Sequence, residues 1–181
     1  MRVIAGAFRG RRLHSPKSDK IRPTIDKVRE AIFNIVASEV PDAKVLDLFA
    51  GTGAMGLEAL SRGAAECVFV DQSDEAVRLI RENVALCAVQ DKVRIIREAI
   101  PSAIRRLASK NELFDLIFMD PPYGKGHIEK TLGLLEAVAG QDALVIAEGH
   151  VKDETPTRLT VWLKDRERRY GDTLISIYSM E

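Results

Sequence analysis

Strand-like and helix-like segments alternate strictly along residues 44–149, and this alternation constrains the fold more than any other feature of the sequence. Short apolar runs that end in turn residues predict strands at 44–49, 67–71, 93–96, 114–119 and 143–147. Apolar stripes at helical spacing predict helices at 54–62, 73–87, 102–109 and 127–139. Because strands separated by helices pair in parallel through right-handed crossovers, we expect a doubly wound α/β sheet.

The C-terminal segment departs from this pattern, because it contains two strands with no helix between them. Residues 159–169 and 173–180 read as strands, and Tyr170-Gly171-Asp172 supplies the turn between them. We therefore expect the sheet to end in an antiparallel hairpin, which is unlike half of a dinucleotide-binding dehydrogenase.

The N-terminal segment is also separate from the alternating region. Residues 2–5 and 11–14 are suited to pair across Gly6 and Gly10 as a small hairpin. A helix is predicted from Pro23, with its apolar residues on one face. The sequence thus predicts a hairpin and helix over residues 1–40, followed by a sheet domain over residues 41–181.

A glycine-rich loop follows the first predicted strand. Gly51, Gly53 and Gly56 allow a tight turn and a close approach of the backbone to a ligand. Asp71 lies 20 residues beyond Gly51, at the end of the next strand, where a carboxylate can accept both hydroxyl hydrogens of a ribose. Glu98 ends the third strand, where it is placed either to accept a hydrogen bond from an adenine amino group or to remain in solvent. The candidate cofactor-binding set is Asp47, Phe49, Gly51, Thr52, Gly53, Gly56, Asp71, Gln72, Glu98 and Ala99.

The spacing of these glycines also fits a nicotinamide dinucleotide site, so that alternative has to be weighed. Asp47 lies four residues before Gly51, where its carboxylate would repel a pyrophosphate but suit a cationic ligand. Together with the C-terminal hairpin, this favours the cationic methyl donor S-adenosylmethionine over a nicotinamide.

The motif Asp120-Pro121-Pro122-Tyr123 follows the fourth strand, at the sheet edge that faces the ligand crevice. An exocyclic base amine is a poor nucleophile, because its lone pair is delocalised into the ring. The Asp120 carboxylate and the Pro121 carbonyl can accept its hydrogens, hold the nitrogen near tetrahedral geometry and stabilise the positive charge that develops. Tyr123 offers a flat face for a flipped-out base. These four residues are the candidate catalytic set.

Charge is distributed unevenly along a chain whose net charge is zero. Residues 1–29 contain nine basic and two acidic residues, a net charge of +7, which leaves −7 for the remainder. Such a basic arm favours a polyanionic partner, with a solubilising tail as the alternative. Arg22 and Arg29 have a second interpretation, in which they pair with acidic residues of the body. The candidate nucleic-acid-binding set is Arg9, Arg11, Arg12, Arg22, Thr24 and Arg29.

These motifs resemble, nearly end to end, the RsmD-type bacterial 16S rRNA guanine-N2 methyltransferases. The opening hairpin residues, the glycine loop, the Asp-Pro-Pro-Tyr motif and the closing Tyr170-Gly-Asp-Thr173 are similar to those of the family. The most distinctive stretch is Arg22-Pro-Thr24 with residues 26–34.

The resemblance implies a Rossmann-like class I methyltransferase fold with a seven-stranded, mostly parallel sheet. It also implies transfer of a methyl group from S-adenosylmethionine to N2 of one guanine, guanine 966 of 16S rRNA, within a partly assembled small ribosomal subunit. We expect a cytoplasmic monomer.

Three other functions share part of this evidence. A DNA adenine amino-methyltransferase would use both main motifs, although 181 residues leave no visible DNA-recognition domain. A non-catalytic RNA-binding assembly factor would not need an intact Asp120, and a nicotinamide oxidoreductase would not need the Asp-Pro-Pro-Tyr turn. We expect no metal, because the histidines His14, His127 and His150 are isolated, and no membrane span, because no apolar run reaches 18 residues.

Overall fold

The computed structural model describes residues 1–16, 23–122, 124 and 126–181, with the backbone alone for residues 23–25. The α-helices of these residues are α1 (Pro23–Ile35), α2 (Ala54–Ser61), α3 (Asp74–Cys87), α4 (Ile100–Ala108) and α5 (His127–Leu135). The strands are β1 (Lys44–Leu48), β2 (Glu66–Asp71), β3 (Val93–Arg97), β4 (Phe114–Met119), β5 (Ala139–His150), β6 (Arg158–Leu159), β7 (Trp162–Tyr170) and β8 (Thr173–Met180).

Over the described part of the chain, the strands form one eight-stranded sheet in the order β3-β2-β1-β4-β5-β8-β7-β6. The first five pair in parallel, and β8, β7 and β6 continue the sheet in antiparallel fashion. The predicted doubly wound sheet with a C-terminal hairpin is therefore confirmed. The strand count is one higher than predicted, because the two-residue strand β6 adds to the edge of β7.

The central strands are buried on both faces, which explains why they read as continuous apolar runs in the sequence. In β1, Val45 belongs to a core that includes α1 and α2, while its neighbour Leu46 faces a second core beneath α4 and α5. Helices thus cover both faces, and the carboxyl ends of the parallel strands meet at one edge.

The N-terminal segment forms the predicted hairpin in minimal form, with an antiparallel bridge between Arg2 and Arg12. Its apolar residues Val3 and Leu13 are buried in the same core as Val45. The division of the chain at residue 40 remains a prediction, and the first 16 residues share their core with the sheet domain.

Two buried polar side chains attach this hairpin to the sheet domain. The Glu58 carboxylate of α2 accepts hydrogen bonds from the backbone amides of Ile4 (2.8 Å) and Ala5 (3.0 Å). The Asn83 side chain of α3 accepts a hydrogen bond from the backbone amide of His14 and donates one to the His14 carbonyl. It also donates to the carbonyl of Thr52 in the glycine loop (2.9 Å). A displacement of the hairpin would therefore disturb the glycine loop.

Candidate active site

The glycine loop between β1 and α2 is shaped by two carboxylates at the ends of adjacent strands. Asp71 Oδ2 accepts a hydrogen bond from the Gly51 amide and Asp71 Oδ1 accepts one from the Ser73 amide, each at 2.9 Å. Asp47 Oδ2 accepts one from the Gly56 amide, also at 2.9 Å. Gly51 has a φ of +55°, which favours glycine. The two predicted acids therefore organise the loop.

The third glycine of the motif has a packing reason. A Cβ atom at Gly56 would lie 2.4 Å from the Phe69 ring and 2.5 Å from Cys67 Sγ. The glycine allows α2 to pack closely on β2, and neither Gly53 nor Gly56 lines the two cavities described next. The structure thus gives Gly56 a role in helix packing, and the placement of Gly53 and Gly56 at the cofactor remains a prediction.

The first of two adjoining cavities, which we call the Asp71 cavity, has a volume of about 670 Å³. Asp71 and Gln72 line one side, and Ala99 with the start of α4 lines another. Pro121, Pro122 and one face of α5 close it with mostly apolar surface. Its mostly apolar lining suits an apolar ring system with a polar group near Asp71.

The second cavity, which we call the Glu148 cavity, has a volume of about 510 Å³. It is lined by Gly51 and Thr52 of the glycine loop, by α1 and by the β7–β8 turn, together with Asp47 and Glu148. Phe49 and Asp120 line both cavities, so the two spaces meet beside them. Phe49 adopts a φ of +58°, and a non-glycine residue held in this region stores about 1–2 kcal/mol of backbone strain.

Three carboxyl groups around the Glu148 cavity have raised pKa values. Burial raises the pKa of Asp47 to about 7, and the charge of Asp71 adds to this effect. Asp120 is exposed where the two cavities meet, but the surrounding walls partly desolvate it. This desolvation, followed by the charges of Glu148 and Asp47, raises the pKa of Asp120 well above its ordinary value. Burial likewise raises the pKa of Glu148. The cavity is therefore suited to a cationic ligand or to a ligand that donates hydrogen bonds.

Glu98 lines neither cavity; its Oε1 is 3.4 Å from Arg106 Nε and its side chain is one-third exposed, which fits the alternative that it stays in solvent. Tyr123 lies outside the described residues.

Two contributors to the site were missed by the sequence analysis. Glu148 lies in β5 next to Asp120, and only the strand register reveals this proximity. Asp153 Oδ1 accepts a hydrogen bond from the Gly124 amide (2.9 Å), while its Oδ2 accepts one from the His150 amide (2.8 Å). It thus attaches the loop that follows Pro122 to the end of β5.

The candidate RNA-binding arginines differ in accessibility. Arg9 and Arg12 are exposed. Arg11 is also exposed, but its Nη1 donates to the Leu86 carbonyl at 2.5 Å. Arg22 and the side chain of Thr24 lie outside the described residues.

Arg29 is corrected by the structure. Only 2% of it is exposed, and its guanidinium contacts the carboxylates of Asp26 (3.0 Å) and Glu58 (3.5 Å) and the carbonyl of Arg2. An arginine with these partners has no free face for a phosphate, so Arg29 holds the hairpin on the sheet domain, the second interpretation that the sequence left open.

Within the described residues, no group of three His, Cys, Asp or Glu side chains has the geometry of a metal site, and no helix is long and apolar enough to cross a membrane.

Comparison with known proteins agrees with this geometry. Ribosomal RNA small subunit methyltransferase D of Escherichia coli strain K12 is 36% identical over 183 residues, covering all of this chain and 90% of the relative. The solved structure of yhhF from Escherichia coli, named as a methyltransferase, has a TM-score of 0.86 at 36% identity and covers 100% of this chain and 98% of that one. A hypothetical protein of Thermus has a TM-score of 0.82 at 29% identity, with 98% of each chain covered.

The fold and the paired cavities at the carboxyl edge of the sheet define a class I methyltransferase. The family described as "Conserved hypothetical protein 95" matches residues 1–179, and the chain belongs to this family, the RsmD family.

Proposed function

We propose that this protein transfers a methyl group from S-adenosylmethionine to the exocyclic N2 of one guanine in 16S rRNA. The observation that carries the proposal is the position of Asp120, which follows β4 and lines both cavities where they meet. A donor that occupies both cavities would have its central sulfur beside this carboxylate.

The residues present fit such a donor. The apolar walls of the Asp71 cavity suit an adenine, and Asp71 stands where ribose hydroxyls can donate to it. Over the described residues, the only cationic side chain that lines the Glu148 cavity is that of Arg29, which already pairs with Asp26 and Glu58. The Asp47 and Asp120 carboxylates there are therefore available to the sulfonium and ammonium charges of the donor.

When bound, the donor supplies a methyl group on a cationic sulfur, which becomes a neutral thioether as the carbon–sulfur bond breaks. Asp120 and the Pro121 carbonyl accept a hydrogen bond from the guanine N2 amine and help direct its lone pair at the methyl carbon. A nitrogen–carbon bond forms, and the positive charge that develops on nitrogen is stabilised by the Asp120 carboxylate. One N2 proton then passes to this carboxylate and on to water, so the products are N2-methylguanine, the thioether and a proton.

The substrate part of the proposal is supported by the relatives and by the surface. The Escherichia coli relative is named as a small-subunit rRNA methyltransferase. Arg9 and Arg12 are exposed on the hairpin, where guanidinium groups can pair with phosphates. We further propose guanine 966 as the target, a partly assembled small subunit as the substrate, and a cytoplasmic monomer as the active form.

The test is mass spectrometry of small-subunit rRNA from a strain that lacks this gene. We expect one N2-methylguanosine to disappear and to return when the wild-type gene is restored. An unchanged set of methylated nucleosides would contradict the proposal.

A further inference from the structure

Glu148 lies beside Asp120 at the carboxyl edge of the sheet. In the parallel pair of β4 and β5, Met119 is in register with Ala147, so the residues that follow, Asp120 and Glu148, lie side by side. Adjacent strands are about 4.8 Å apart. Both side chains line the Glu148 cavity, and the charge of Glu148 acts on Asp120.

The Glu148 carboxylate, like that of Asp120 and unlike those of Asp47 and Asp71, has no hydrogen-bond donor among the described residues. Asp47 and Asp71 each accept backbone hydrogen bonds. Within the described part of the chain, no hydrogen bond or ion pair reaches the Glu148 carboxylate, although the residue is more than half removed from solvent. A half-buried carboxylate without protein donors gains stabilisation from a ligand that supplies them.

The hydrogen-bonding pattern of guanine meets this need. Its Watson–Crick edge presents N1–H and N2–H side by side, and a carboxylate can accept both, one on each oxygen. Adenine presents an acceptor at N1, which a carboxylate would repel. An enzyme that flips its target base reads this edge.

We propose that Glu148 selects guanine by accepting N1–H and one N2–H, while Asp120 and the Pro121 carbonyl take the other N2–H. Glu148 is thus a specificity-determining residue for the proposed methyl transfer, and this inference rests on the proposed function. Because Glu148 and Asp120 hold the N2 amine between two strand ends, they also fix the direction in which the N2 lone pair faces the methyl donor.

The test uses two RNA substrates that contain either guanine or 2-aminopurine at the target position. 2-Aminopurine keeps the amine at position 2 but has no hydrogen on N1. For the wild type we expect kcat/KM to be at least about tenfold higher for guanine. N1 of 2-aminopurine has no hydrogen for the Glu148 carboxylate to accept, which weakens the interaction with this analogue.

In Glu148→Gln the amide can donate to N1 of 2-aminopurine and accept from N2–H. Its guanine activity should fall at least about tenfold, and the ratio of 2-aminopurine to guanine should rise by a similar factor.

Asp142→Asn is the matched control, since Asp142 is an exposed acid on the same strand, and it should leave the ratio unchanged. The fluorescence of 2-aminopurine gives the RNA dissociation constant without turnover, and calorimetry with S-adenosylmethionine shows that the donor site is intact. Equal binding of both RNAs by the wild type, or an unchanged ratio in Glu148→Gln, would overturn the inference. If the wild type methylates neither RNA, the proposed function itself fails.

Discussion

Asp120 is the residue on which the proposed chemistry depends. Asp120→Asn keeps the shape of the side chain but weakens its ability to accept hydrogens and removes the charge that stabilises the developing cation. We expect single-turnover methylation to fall by about 100-fold or more, while donor affinity measured by calorimetry changes far less. Asp91→Asn, at an exposed acid, is the control. Near-normal turnover in Asp120→Asn would remove Asp120 from the mechanism.

Asp47 shows that a site residue can oppose folding. Its pKa in the folded protein is about 7, above the ordinary value of 3.8, so the folded state binds the proton more tightly than the unfolded state. Stability from this group is therefore fully present below about pH 4 and is lost as the pH rises towards 7.

Asp47→Asn should remove that dependence while still accepting the Gly56 hydrogen bond. We expect the two proteins to differ little near pH 4, and the variant to gain at most about 4 kcal/mol in free energy of unfolding above pH 7. Urea unfolding over a pH series measures this difference. If the free energies of unfolding of the two proteins have the same pH dependence, ionisation of Asp47 does not destabilise the folded protein.

At the scale of elements, the hairpin packs so closely on α2 that one position requires glycine. Gly6 has a φ of +79°, and a Cβ atom there would lie 1.8 Å from the Ser61 carbonyl oxygen. Gly10 has a similar φ of +84°, but a Cβ atom added there would have no neighbouring atom within 4 Å, so Gly10 serves as a matched control.

Gly10→Ala should lower the free energy of unfolding by about 1–2 kcal/mol, through backbone strain alone. Gly6→Ala should lower it by about 1–3 kcal/mol more, because the hairpin must move away from α2. Thermal or urea unfolding gives both values. Equal losses in the two variants would mean that the hairpin does not depend on this close contact.

Asp153 connects the loop after β4 to the end of β5. Asp153→Ala removes the acceptor for the Gly124 amide, so the loop that carries Pro121 and Pro122 should be held less firmly. We expect kcat/KM for RNA to fall by about tenfold, with a smaller change in donor affinity. Glu154→Gln, at the exposed neighbouring position, should leave both unchanged. Identical kinetics for the two variants would show that the bond to Gly124 does not position the loop.

The elements that the sequence predicts well are those with long, regular periodicity. The buried strands, the helices between them and the turn at Gly171 follow from local patterns. The predicted start of β5 at residue 143 is late, because the polar stretch Gly140-Gln141-Asp142 hides its pairing, which begins at Ala139 and shifts register next to Phe114. Strand β6 has only two residues, too few to produce a pattern.

The site was predictable where one segment contains the whole motif, as in the glycine loop and at Asp120. Contacts between segments that are distant in the chain were not predictable from the sequence. Glu148 gains its position from the register of two strands, and Asp153 bonds an amide 29 residues away. Arg29 appeared to be part of the basic arm, because its partner Glu58 lies in α2 and no local spacing connects them.

Over the whole molecule, a basic hairpin is joined to an acidic sheet domain, and we expect the hairpin to supply the affinity for RNA. Each phosphate neutralised on single-stranded RNA adds about 0.7 to the slope of log affinity against log salt concentration. Replacing Arg9 and Arg12 with alanine should therefore flatten the slope by about 1.4, with donor affinity unchanged.

The matched control removes two exposed lysines, Lys92 and Lys110, which lie near the amino ends of β3 and β4, away from the cavities. This control should leave the slope at its wild-type value. If the Arg9 and Arg12 variant has the same slope as the control, another surface must hold the RNA.

The central claim is tested most directly by identifying the methylated product. Purified protein is incubated with methyl-labelled S-adenosylmethionine and small-subunit rRNA or particles from a strain that lacks the gene, and the RNA is digested for mass spectrometry. We predict label in a single N2-methylguanosine per rRNA, and none with Asp120→Asn. Absence of transfer by a folded protein that binds the donor, or label on an adenine amine, would contradict the account.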